Sequence, residues 1–147
     1  MKSIKELYEI SKQKSYIEED KVTNLLSEYI EKGIIKLIDK NQNKCWLYLF
    51  KYPSVFSDND FVVTLSINRM CIDDILENKL IYYFKSMSSI DIENKFKNIQ
   101  FLINKKNLGF KTNLDVRREN CNSKTLFQII FTLEWEKDVS GTELYSF

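Results

Sequence analysis

Five carboxylates gather along the middle of this chain: Asp58, Asp60, Asp73, Asp74 and Glu77. Asp58-Asn59-Asp60 has the oxygen donors that a hard cation takes. It has no glycine or distal glutamate at calcium-loop spacing, so it reads as a solvated loop. Asp73, Asp74 and Glu77 fall in the first turns of an expected helix, where the helix dipole favours negative charge. Metal-dependent nucleases hold carboxylates and a lysine around an ion. Glu77-Asn78-Lys79 and Glu93-Asn94-Lys95 repeat an acid-x-lysine spacing, but both lie on expected helices. Asp115-Val116-Arg117 is on an expected strand and carries arginine instead.

Histidine is absent from all 147 residues. That removes the usual general base near neutral pH, the usual partner of a serine or cysteine nucleophile, and the usual transition-metal ligand. Glycine occurs only at Gly33, Gly109 and Gly141, so no glycine-rich phosphate loop exists. Cys45, Cys71 and Cys121 are odd in number and widely spaced, without a C-x-x-C pair. They read as free thiols in a reducing compartment. No catalytic residues, metal ligands or cofactor are expected, and the chain is read as a non-enzyme.

The elements that position these residues follow from periodicity. One domain is expected from the length, large enough to bury roughly 68–70% of its unfolded surface. A net charge of +1 gives no strong field for non-specific DNA binding. Ile4, Leu7, Tyr8 and Ser11 share one face of a short first helix. Ser15 and Glu18 have capping-box spacing ahead of a second helix, whose stripe is Val22, Leu25, Leu26, Tyr29 and Ile30 and whose stop is Gly33. Residues 34–39 read as a strand, 41–44 as a turn, 45–52 as a strand closed by Pro53, and 61–67 as a third strand. Helices are expected from Ile72 to Met87 and from Ser89, with the stripe Ile92, Phe96, Ile99 and Ile103, to a close near Asn107 and Gly109, then a hairpin with strands over 110–117 and 127–135. The order ααβββααββ predicts an α+β domain with a largely antiparallel five-stranded sheet packed with helices, in subregions 3–52 and 61–135. The last strand, being the most apolar, is expected inside the sheet.

Two surfaces stand out. Trp46, Tyr48, Phe50 and Tyr52 point one way on their strand, and Leu47 and Leu49 point the other. Either helices cover both faces and the row is core, or one face is bare and the row is a hot-spot stripe for a protein partner or a stacking platform for bases. The C-terminal residues Leu144, Tyr145 and Phe147 are a second candidate docking element.

The helix ending Tyr29-Ile30-Glu31-Lys32-Gly33-Ile34-Ile35, with a turn at Asn41–Lys44, resembles a winged helix-turn-helix. The resemblance covers residues 3–52, about a third of the chain. It implies DNA binding, with Lys21, Thr23 and Asn24 facing the groove and Lys40, Asn43 and Lys44 on the backbone. Glu18, Glu19 and Asp20 would meet phosphate with like charge. The element order also resembles small secretion chaperones at the level of fold.

The chain has no alanine and much Lys, Asn, Ile, Phe and Tyr, the signature of an A/T-rich, low-GC genome. This reading predicts a cytoplasmic binding protein acting on another protein: a phage or mobile-element inhibitor, an immunity factor or a chaperone-like adaptor. DNA is the alternative partner, a dimer is compatible, and no membrane contact is expected because the longest apolar run is far below the ~20 residues of a span.

Overall fold

The computed structural model describes residues 21–56, 60–106, 109–121 and 124–136. The expected first helix, the Ser15–Glu18 box, Asp58 and the C-terminal candidate lie outside the described residues.

Three helices and four strands are described: α1 (Lys21–Asp39), β1 (Lys44–Pro53), β2 (Phe61–Ile67), α2 (Asp74–Ser86), α3 (Ser89–Lys106), β3 (Lys111–Cys121) and β4 (Lys124–Glu134). The sheet runs β2-β1-β4-β3 and every neighbouring pair is antiparallel. The α+β class and the interior place of the last strand agree with the sequence. The five-stranded sheet does not.

The correction lies at residues 34–39, which continue α1 instead of forming a strand. Leu26, Ile30, Ile34 and Leu37 are all buried, so the 3.6-residue period runs straight through Gly33. Gly33 is no stop. It is the point where α1 presses on β2: a Cβ there would sit 2.5 Å from Ile67 Cδ1. The stop is Asn41, at φ 57°. Asn41 N–H donates to Ile38 O at 2.9 Å and Gln42 N–H to Leu37 O at 2.8 Å, closing the helix in a left-handed cap.

The other boundaries follow from their caps. The Asp73 carboxylate accepts from Leu76 N–H at 3.0 Å and starts α2. Ser88 Oγ accepts from Asp91 N–H at 3.2 Å and starts α3. Asn68 and Arg69, with φ of 49° and 61°, turn the chain out of β2.

All three helices pack on one face of the sheet. Cys45, Leu47, Leu49, Val63, Leu65, Ile67, Phe127, Ile129, Phe131 and Leu133 face them and are buried. Phe96 of α3 ties the layers, its ring centroid 6.3 Å from both Phe84 and Phe131. No helix among the described residues is long and apolar enough to cross a membrane.

Candidate interaction face

Strand pleating sends alternate residues to opposite faces, so burying Cys45, Leu47 and Leu49 sends Trp46, Tyr48, Phe50 and Tyr52 to the other. No described helix covers that other face. Trp46 is 37% exposed, Phe50 37% and Tyr52 40%, and Tyr48 is half-buried. Among the described residues the row lies on the face away from the helices, with Trp46, Phe50 and Tyr52 each partly exposed.

Strand register places the neighbours. Trp46 pairs with Thr132, Tyr48 with Ile130 and Ser66, Phe50 with Gln128 and Thr64, and Tyr52 with Val62. Beyond β4, Ile130 pairs with Asp115 and Gln128 with Arg117. An aromatic and aliphatic ridge thus crosses the middle of the sheet, rimmed by hydroxyls, amides and charges. Lys44 Nζ lies 5.1 Å from the Trp46 ring centroid. Arg117 and Asp115 pair at 3.7 Å, both well exposed. A depression of about 320 Å³ opens between Trp46, Tyr48, Asn68 and Met70. Another of about 250 Å³ opens between Phe50, Tyr52, Arg117 and Leu126. Among the described residues this face carries both signs of charge, Lys44, Arg69, Lys111 and Arg117 beside Asp115, Glu119 and Glu134. A ridge of rigid aromatic area with a polar rim suits protein recognition. A nucleic-acid track would carry a one-sided positive field.

The Trp46 end of the row is held rigidly. Asn68 Oδ1 accepts from Trp46 N–H at 2.6 Å, and Asn68 Nδ2 donates to Lys44 O at 2.9 Å. Asn43 closes the same end against β4: its Nδ2 donates to Trp135 O at 2.9 Å, and Trp135 N–H donates to Asn43 O at 3.0 Å.

The positions carried over from the winged-helix resemblance are dispersed. Lys21 is exposed and Asn24 half-buried, but Thr23 is buried at 4% exposure. Lys40, Asn43 and Lys44 lie past the C-terminal end of α1, a helix about 27 Å long at 1.5 Å per residue, with Lys21 at its other end.

The acidic set at the start of α2 forms a network with α1. Lys32 bonds Asp73 at 2.7 Å, and this contact holds the Asp73 carboxyl below its usual range. Tyr29 OH donates to Glu77 at 3.0 Å; burial, then the Glu77 charge, pushes its ionisation well up. Cys71 Sγ donates to Asp74 at 2.7 Å and to Glu77 at 3.3 Å. Those carboxylates push the thiol up to about 12, so it stays protonated at neutral pH, the opposite of an activated nucleophile. One ligand atom from each of Cys71, Asp74 and Glu77 falls within 4.8 Å of the others. Glu77-Asn78-Lys79 and Glu93-Asn94-Lys95 lie on helices as expected, and Glu93 is engaged by Arg118 at 2.6 Å.

Sequence reading missed Lys51. It lies on the helix-covered side of β1 and is 5% exposed. Its Nζ donates to Phe84 O at 2.9 Å and to Met87 O, at the C-terminal end of α2. Burial lowers its pKa. The signal was present: Lys51 continues the inward alternation Cys45, Leu47, Leu49.

Comparison of the chain with protein-family models, curated proteins and solved structures finds no match.

Proposed function

We propose that this chain is a binding protein rather than an enzyme, and that its partner is another protein docked on the open face of the sheet. One observation carries the reading: Trp46, Phe50 and Tyr52 stand more than a third exposed in a single row on the face away from every described helix. Large aromatic anchors of this kind dominate the energetics of protein interfaces. The mixed charge of the face favours a protein over DNA. The A/T-rich coding bias adds the setting of a phage or mobile element, with an inhibitor, immunity or adaptor role.

The test is comparative capture from the native host, with the full chain and a Trp46→Ser/Phe50→Ser variant as baits. One defined protein retained by the first and lost by the second supports the reading. Equal retention by both places the interface elsewhere. Binding to a DNA duplex with a steep salt slope transfers the function to the winged-helix alternative.

A further inference from the structure

The two edges of the sheet differ in how they are defended. Natural sheets guard edges with charge, proline or bulges. The β3 edge carries Lys111, Asp115, Arg117, Arg118 and Glu119. The β2 edge reads Phe-Val-Val-Thr-Leu-Ser-Ile, with no charge and no proline.

The hydrogen-bond pattern shows which groups of β2 face outward. Asn68 N–H donates to Trp46 O at 2.9 Å, and Asp60 O accepts from Ser54 N–H at 3.0 Å. Even-numbered positions therefore bond to β1, and the odd ones, Phe61, Val63, Leu65 and Ile67, aim their N–H and C=O away from it. The ends of this outward row are met locally. Asp60 Oδ1 accepts from Phe61 N–H at 2.9 Å, and Ile67 O accepts from Met70 N–H at 2.8 Å. Between them, the outward N–H and C=O of Val63 and Leu65 make no hydrogen bond to any described residue.

We propose that this edge is a dimerisation edge: two copies of the chain pair β2 to β2, antiparallel, about a two-fold axis through Thr64. That register sets Val63 opposite Leu65 of the second copy and uses the N–H and C=O of both residues on each strand. It sets Thr64 opposite Thr64 on the open face, a favourable hydroxyl pair. It brings Asp60 of one copy beside Arg69 of the other, twice by symmetry; both are exposed, and neither has an ion pair among the described residues. A two-fold contact of this kind is self-complementary and closed. The pairing joins two sheets edge to edge and leaves the aromatic faces open, so it stands independently of the proposed function.

The experiment uses the full chain in sedimentation velocity across about 1 to 100 µM, the range of moderate association. Amide exchange at Val63 and Leu65 is followed over the same range. A monomer–dimer equilibrium is expected, with protection of both amides rising with concentration. Thr64 is exposed, so Thr64→Lys folds and sets two ammonium groups against each other at the axis. It raises the dimer dissociation constant by about tenfold or more. In a Cys71→Ser/Cys121→Ser background, Thr64→Cys forms a disulfide-linked dimer, because directly opposed Cα atoms lie within disulfide range. A monomer throughout overturns the proposal. So does a dimer indifferent to Thr64→Lys or unlinked by Thr64→Cys. Protection of the two amides independent of concentration also overturns it, since the edge is then covered from within the chain.

Discussion

Lys51 carries an ammonium group into the buried side of the sheet. A buried ammonium is expensive unless its protons are all engaged. Here it meets the carbonyls of Phe84 and Met87, where α2 leaves its last C=O groups without helical partners, and lies 4.7 Å from the Phe61 ring centroid. Lys51→Met keeps the apolar stem and removes the donors. It is expected to destabilise the fold by about 1–3 kcal/mol in urea titration, the cost of leaving buried carbonyls unmet. Cys45 gives the alkaline counterpart. Burial pushes its thiol from 9.0 up to about 12. The folded state therefore holds a proton that the unfolded state gives up, so stability is full below pH 9 and falls as pH rises above it. The slope approaches about 1.4 kcal/mol per pH unit. Cys71 adds to the same limb, so the comparison belongs in a Cys71→Ser background. There, Cys45→Val is expected to flatten the decline between about pH 9 and 10, below the range where Tyr29 enters.

Elements were legible where one period dominated. The alternation of β1 and β4, the stripe of α3 and its Ser88 cap could be read directly from the residues. Residues 34–39 could not, because a run of Ile, Ile, Leu and Ile suits either period, and Gly33 is a common helix end. What decides between them is tertiary: the stripe Leu26, Ile30, Ile34 and Leu37 is buried against the sheet, and Gly33 faces Ile67 Cδ1 of β2. The outward face of β1 was ambiguous for a similar reason. An aromatic row has the same residue types in a core as at an interface, and only the placement of the helices tells which. Gly33→Ala tests the crossing. Alanine gains about 1 kcal/mol of helix propensity, but overpacking against Ile67 costs typically 1–3 kcal/mol, so net destabilisation is expected. Ile67→Val removes the offending Cδ1. The double variant is expected to be more stable than the sum of the single changes by at least about 0.5 kcal/mol, measurable as a coupling energy. Additive effects would mean that the helix does not press on Ile67.

At the scale of the molecule, the three described helices lie on one side of the four-stranded sheet, and the other side leaves Trp46, Phe50 and Tyr52 more than a third exposed. The covered side holds the buried core. Trp46→Ser/Phe50→Ser removes two partly exposed rings outside that core, so the chain is expected to keep a cooperative urea transition while losing partner capture. Comparable losses of stability and binding would mean that the row is structural. The central claim, that the bare face is the working surface, is tested most directly by site-specific photo-crosslinking in the native host. The probe amino acid replaces Phe50 on the open face in one variant and Phe101, 58% exposed on α3, in the other. The account predicts one discrete protein adduct from position 50 and none from position 101. Adducts from position 101 alone, or none from position 50 while the partner is still captured, would contradict it.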